Sequence, residues 1–446
     1  MNMKRWVSMF LVLLFITTIS LVGLAQDQPI TISMQTYFTT PGQVAAITGA
    51  IKDYEAAHPN VTIQYYYVPF NDLVNKTLQE KMTNSLPTIV FADNPNVIDW
   101  GQAKIFKDIT SLVENWDQWQ YFFPGSKAAV SYNGKIYAIQ VGTNNLALAY
   151  NKTYFAQAGI TNPPQTWSEL LQDCAKLKAV LPAGKYAIGF SAEANEEATW
   201  MFEPFLWSNG GSLLEMNKTA AVQALTLEAT LVHNGYAPMS VLQWEQTTDA
   251  AQQFANGNLA MVIAGPWEIP MFESSKGLDW AISTLPVPKL GDNVVDPMGG
   301  ECFGIAYNAN AEQTKVAWDF LKFLYSPQNN LKFLEASYYV PVRSNLVQDF
   351  EAAMPELNVF VKQAETAISR PVAGGISLYP QISQITMEAI QKAILGTLTP
   401  QQACDQAAQQ IRALFNSDSA YQTAVDQARA ALNAVGAPDT AQYSGQ

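Results

Sequence analysis

ITISMQTYFTTPGQVAAITGAIKDYEAAHPNVTIQYYYV, residues 30–68, changes its hydrophobic period twice within a single stretch. Ile30, Ile32 and Met34 alternate with polar residues, the period of a strand. Thr40-Pro41-Gly42-Gln43 then has the form of a capping box with proline at the first helical position, and Val44, Ile47, Ile51 and Tyr54 recur at helical spacing. Val61, Ile63, Tyr65 and Tyr67 return to a period of two. Further on, Leu73, Val74, Thr77, Leu78, Lys81 and Met82 predict a second helix. Thr88–Ala92 is an apolar run of the kind found in a sheet covered on both faces. This β-α-β-α-β order predicts a doubly wound α/β layer.

The same grammar restarts after Val141. Leu146–Tyr150 reads as a strand, Thr166-Trp167-Ser168-Glu169 as a capping box opening a helix, and Tyr186–Phe190 as another strand. Helices are predicted over Ala198–Trp207, Ala220–His233 and Thr248–Ala255, then a strand at Leu259–Ile263, giving a second α/β lobe. Ala138–Gly142 carries no turn signal and reads as an extended crossing between the lobes. Past Leu285, Pro286, Pro288, Gly291, Pro297, Gly299 and Gly300 punctuate the chain before a strand at Cys302–Tyr307. Helices follow at Thr314–Tyr325, Gln384–Leu395 and, after the capping box Thr399–Gln402, Ala403–Phe415.

The chain has 446 residues, enough for two or three domains at about 100–200 residues each. With 48% hydrophobic and 14% charged residues it is not a disordered sequence. Its net charge of −13 disfavours nucleic acid and anionic membrane surfaces, which attract Lys- and Arg-rich faces. The first 25 residues read as a signal peptide: Lys4 and Arg5, an apolar run Trp6–Val22, then Gly23-Leu24-Ala25. No cysteine follows that run for a lipid anchor, so the expected location is periplasmic or extracellular; an uncleaved membrane anchor is the alternative. Cys174, Cys302 and Cys404 are too scattered for a disulfide framework and sit among apolar residues, which predicts small buried hydrophobes.

The absences narrow the chemistry. His58 and His233 are the only histidines, so there is no zinc motif and little material for a histidine-based triad. Both read as capping or solvent-facing. GxxxxGK[ST], GxGxxG and GxSxG are all missing. No metal or cofactor is expected. A pair of carboxylates, sufficient for a secreted glycosidase, remains open. In open α/β sheets ligands bind outside the carboxyl ends of the strands. Gln35–Gln43, Asp93-Asn94 and Gly265-Pro266-Trp267 all fall there.

Phe254-Ala255-Asn256-Gly257-Asn258-Leu259-Ala260-Met261, leading to Gly265-Pro266-Trp267, resembles the F-x-x-G-x-x-A-M…G-x-W stretch of the extracellular sugar-binding proteins of bacterial ABC importers, the group of maltose- and trehalose-binding proteins. Five further segments resemble blocks of that family in the same order. They are Ala149–Lys152 with Phe155, Gly159 and Pro164–Trp167; Trp207–Gly211; Gly299-Gly300; Val340-Pro341-Val342-Arg343; and Gly396–Pro400. The resemblance implies two doubly wound α/β lobes joined by a hinge of crossing segments, a periplasmic binding protein of type II. Carried onto this chain, it implies a signal peptide at 1–25, an N-terminal lobe of 26–139 plus 286–330 and a C-terminal lobe of 140–285 plus 331–440. The crossings are expected near Ala138–Gly142, Thr284–Pro288 and Ser326–Leu334.

The implied function is recognition, not reaction: a sugar, a di- or oligosaccharide, is captured between the lobes by a monomer and delivered to ABC permease subunits. A non-sugar solute is the other binding alternative. By the resemblance, Trp267 matches an aromatic platform, since a rigid indole covers the C–H face of a pyranose at low entropic cost; the competing reading is a core tryptophan behind Pro266. Asp93 matches an acceptor for sugar hydroxyls, or caps the helix that follows; Asn94 lies beside it. Asn144 matches a polar residue just past the hinge, and Gly300 a glycine whose backbone approaches the sugar. Arg370 matches an arginine of some disaccharide binders, or forms a surface salt bridge. Gln43 departs from a glutamate common at that position, and its capping box already accounts for a glutamine. Thr386 stands where maltose binders carry an aromatic, which argues against maltodextrin. Tyr37, Trp200, Tyr379 and Glu197 are candidate compensating contacts.

Overall fold

The computed structural model describes residues 28–370 and 376–438, so the expected signal peptide lies outside them. The opening stretch folds as its pattern predicts: β1 (Ile30–Thr36), α1 (Pro41–Ala57), β2 (Val61–Tyr67), α2 (Phe70–Met82) and β3 (Ile89–Asp93). After β4 (Ile139–Gln140) the chain builds β5 (Ala147–Asn151), α3 (Trp167–Val180), β6 (Tyr186–Gly189), α4 (Glu196–Ser208), α5 (Thr219–His233), β7 (Leu259–Ala264) and β8 (Trp280–Ser283). It passes through β9 (Pro297–Met298) to β10 (Glu301–Ile305), α6 (Ala311–Leu324) and α7 (Pro327–Ser337). It then runs through β11 (Ile368–Ser369) to α8 (Tyr379–Ile394), α9 (Pro400–Ala413) and α10 (Asp418–Ala434).

Two mixed sheets result. The first has the order β2-β1-β3-β10-β4, with β1 parallel to both neighbours and β10 antiparallel to β3 and β4. The second has the order β8-β5-β7-β6, with β6 and β7 parallel and β5 antiparallel to β7 and β8. β3 and β7 are buried along their whole lengths, as continuous apolar strands in covered sheets must be. Each sheet has its own core. Ile32, Met34, Phe91 and Phe303 meet Phe320 and Leu321 of α6 in one, and Leu148, Ile188 and Met261 meet Phe202 of α4 and Ile390 of α8 in the other. Three helix starts carry complete side-chain capping boxes, Thr166 with Glu169, Asn310 with Gln313 and Thr399 with Gln402. Thr40 completes only half of one. Its hydroxyl accepts from Gln43 N, while the Gln43 side chain turns away to the Tyr339 hydroxyl.

The lobe boundaries differ from expectation at two crossings. Ala138, Ile139 and Val141 pack in the first core and Leu146 in the second, so the chain changes core just after the expected Ala138–Gly142 segment. The next lies not at 284–288 but between Val295, in the second core, and Cys302, in the first; Trp167 N donates to Val287 O and keeps 286–295 on the second lobe. The last lies not at 326–334 but between Phe360 and Ile368. Phe333, Leu334, Val340, Phe350 and Phe360 all belong to the first core, so the stretch 331–360 leaves the second lobe. The first crossing is tied to the first lobe: Thr143 and Val340 exchange backbone hydrogen bonds at 2.9 Å each, and Asn145 Nδ2 donates to Phe360 O at 2.9 Å, where the last crossing begins. Cys174, Cys302 and Cys404 are buried and unpaired, as their apolar surroundings predict. Among the described residues no helix is long and apolar enough to cross a membrane.

Candidate functional site

The carboxyl ends of β1 and β3 face the second lobe across a cleft holding a cavity of about 320 Å³. Nine of the residues expected from sequence line it: Tyr37, Gln43, Asp93, Asn144, Glu197, Trp200, Trp267, Gly300 and Arg370.

On the first-lobe wall the organising group is one that sequence reasoning missed. Glu301 opens β10, which runs antiparallel to β3 with Glu301 paired opposite Asp93. An antiparallel strand brings its first residue to the edge where parallel strands bring their last, so looking only behind strand ends overlooks it. The Tyr37 and Tyr339 hydroxyls both donate to Glu301 Oε1 at 2.6 Å. Oε2 is buried and has no partner in the protein. Burial pushes the Glu301 carboxyl up to about 7, against the pull of the two tyrosine hydrogen bonds. Gly300 lies beside it at φ +102, and a Cβ there would meet Gly142 O at 2.4 Å, so the approach of the two crossing segments requires glycine.

The second-lobe wall is aromatic. Trp267 follows β7 and lies across Gly265 so closely that a Cβ on that glycine would meet the indole at 2.1 Å. Its Nε1 donates to Thr247 Oγ1 at 3.0 Å, and Glu268 accepts from Gly265 N at 3.2 Å, which fixes the turn. Trp267 is half-buried against both cores, so part of its surface is core and part faces the cavity. Trp200, on α4, is buried at the edge of the same cavity, with Nε1 unpartnered. The expected helix at Thr248–Ala255 begins instead with a π-helical turn, Gln246–Ala251, which presents Gln246, Thr247 and Thr248 to the cavity. Glu197 accepts from Gln246 N at 2.9 Å and from Ser191 Oγ at 3.1 Å; burial nevertheless raises its carboxyl to about 8.

Arg370 is neither a surface salt bridge nor a free ligand contact. It is 3% exposed and pairs with Asp93 at 2.7 Å and Glu196 at 2.9 Å, with its guanidinium 4.7 Å from the Trp200 ring centre. Asp93 thus lines the cavity with one carboxylate oxygen engaged by Arg370, and it is not a cap, since its side chain makes no capping bond. Two expected contacts are not brought to the cavity wall. Asn94 is fully buried and accepts from Ser369 Oγ at 3.5 Å. Tyr379 is fully buried and donates to Glu196 at 2.7 Å and Glu203 at 2.9 Å. Thr386 is buried within α8, donating to Ile382 O, and does not line the cavity. Arg343 of the Val340–Arg343 block is structural, donating to Asn330 Oδ1 at 2.7 Å.

The cavity wall thus carries Asp93, Glu196, Glu197, Glu245 and Glu301 against one arginine, already paired, and no lysine among the described residues. Such a wall is rich in hydrogen-bonding carboxyls and offers phosphate no unpaired cation.

A family model describing bacterial extracellular solute-binding proteins matches residues 49–358. A protein of Brucella abortus described only as a binding protein is 25% identical over 374 residues, covering 82% of this chain and 88% of the relative. The sn-glycerol-3-phosphate-binding periplasmic protein UgpB of Yersinia pseudotuberculosis is 24% identical over 293 residues, covering 62% of this chain and 66% of the relative. Among solved structures, an ABC transporter solute-binding protein of Thermotoga lettingae bound with α-D-tagatose superposes with a TM-score of 0.76 at 23% identity, covering 87% of this chain and 100% of that one.

Proposed function

Because the chain belongs to the bacterial extracellular solute-binding protein family, we propose that its cleft captures a neutral carbohydrate, a disaccharide or short oligosaccharide, and releases it unchanged to an ABC permease. The observation that carries this reading is the pairing of unlike walls. On the second-lobe wall Trp267 offers flat apolar surface for the C–H face of a sugar, while across the cleft Glu301 offers a carboxyl for its hydroxyls. Glu301 Oε2 and Trp200 Nε1 are orphaned in the protein, and buried polar atoms are rarely left so without a purpose. Glycerol 3-phosphate, bound by one relative, fits poorly, because the only lining arginine is already neutralised by two carboxylates.

A hinge of this kind lets lobes close on ligand, as in periplasmic binding proteins generally. A micromolar ligand contributes roughly 8 kcal/mol, which has to exceed the cost of closing and so calls for contacts from both lobes. The protein acts as a monomer, and its export by the N-terminal leader is part of the same reading. The test is a thermal-shift panel of mono-, di- and trisaccharides and glycerol 3-phosphate at millimolar concentration, with chromatographic recovery. A ligand at ~1,000 times its Kd raises stability by about 4 kcal/mol. A neutral sugar that shifts the midpoint and returns intact supports the reading; a shift with glycerol 3-phosphate alone, or recovery of cleaved sugar, refutes it.

A further inference from the structure

The Arg370 bridge does more than neutralise charge, because of where it stands. Beyond it lies a second chamber of about 280 Å³, lined by Val74, Pro95, Asn195, Tyr379 and Gln384. Phe70, Asn71, Asp93 and Glu196 belong to the walls of both spaces, whereas Arg370, Trp200 and Trp267 line only the first. Asp93 comes from the first lobe and Glu196 from the second, so the row Asp93–Arg370–Glu196 partitions the cleft.

The partition is rigid. The guanidinium is held by two carboxylates and stacked on Trp200, and Glu196 also accepts from the Tyr379 and Ser383 hydroxyls. Breaking one side of a buried ion pair strands an uncompensated charge, which is strongly unfavourable. A sugar chain would have to offset that to pass. The near side, about 320 Å³, is at the low end of the ~300–1,000 Å³ typical of small-molecule sites.

We infer that Arg370 is the end wall of the site and sets ligand length at one or two sugar units; this rests on the carbohydrate reading above. The outer chamber is then space that the native ligand does not enter, although the cleft geometry would admit a third ring if the bridge were gone.

The experiment uses calorimetric titration of the whole mature chain with malto- and cello-oligosaccharides of one to four units, together with the homologous series of any other sugar that registers in the thermal-shift panel. The wild type is expected to bind units of one or two at least tenfold more tightly than units of three or four. In Asp93→Asn/Arg370→Ala, which removes the arginine and one of its two carboxylate partners, that gap is expected to fall below threefold. Gln384→Trp, an exposed position filling the outer chamber, is expected to leave the affinity for the short sugars within twofold. The Gln384 variant decides the matter even where the double variant does not fold.

Equal wild-type affinity for two and four units overturns the inference. So does a tenfold loss of short-sugar binding in Gln384→Trp, or an unchanged gap in a folded double variant. Binding of no sugar at all fails the carbohydrate reading itself and this inference with it, and is told apart by a flat response to every chain length.

Discussion

The two walls of the cleft are built on different principles. The second-lobe wall is shorter-range: Trp267 is set by Gly265 two residues before it, Glu268 one residue after and Thr247 20 residues away, and Glu197, on the same helix as Trp200, is joined to Gln246 49 residues on. The first-lobe wall is long-range. Tyr37, Glu301 and Tyr339 meet at 2.6 Å although 264 residues separate the first two, because β10 returns antiparallel into a sheet begun by β1. A locally built wall tolerates change in the rest of the fold. A wall assembled from distant segments depends on the hinge crossings that carry them, so mutations in it should couple to stability and pH as well as to affinity.

That contrast can be broken in graded steps. Trp267→Ala is expected to weaken sugar binding by 100-fold or more, about 2.7 kcal/mol, with the fold intact by circular dichroism; full affinity in calorimetry would falsify the platform role. Glu301→Gln keeps an acceptor for the two tyrosines and removes the charge, and about a tenfold loss of affinity is expected. The same variant tests the pH argument. Glu301 holds its proton up to about pH 7 in the folded chain, against 4.5 for an ordinary glutamate. The folded state therefore binds a proton that the unfolded state has released. The stability contribution of this group is complete below about pH 4.5 and is lost as pH rises through about 7. Between those values Glu301→Gln should flatten the decline of stability by up to about 1.4 kcal/mol per pH unit; denaturant melts at pH 5 and pH 7 that decline equally in both proteins would contradict it.

Tyr379→Phe probes the region behind the wall. It removes a hydroxyl shared by Glu196 and Glu203 and should cost about 1–2 kcal/mol of stability while leaving affinity within threefold. A larger affinity loss would restore Tyr379 as a ligand contact. Asn94→Ala is the smallest step, with affinity expected within twofold, because the side chain is buried away from the cavity.

Much of this was legible in residues whose neighbours in sequence are also their neighbours in space. The β-α-β-α-β opening, the capping boxes at Thr166 and Thr399, the strand at Leu259–Ile263 and the turn carrying Trp267 are all local patterns, and each folds as such. What stayed hidden depends on pairing. Glu301 was one position beyond a predicted glycine turn, and only the antiparallel register of β10 reveals its edge position. Gln43 looked spent in a capping box, yet its side chain reaches Tyr339, 296 residues away. Arg370 offers no local signal of the two carboxylates that hold it. The displaced crossings have the same origin: α7 is amphipathic but carries nothing that says which lobe its apolar face covers, and it packs on α1 of the first.

The most direct measurement is a calorimetric titration of the mature protein with the best sugar from the thermal-shift panel, followed by chromatography of the released ligand. The account predicts one saturable site, a stoichiometry of one, no response to equal concentrations of glycerol 3-phosphate, and complete recovery of the sugar unchanged. Tight binding of glycerol 3-phosphate without heat from any neutral sugar, or loss of the sugar to hydrolysis during the titration, would contradict it.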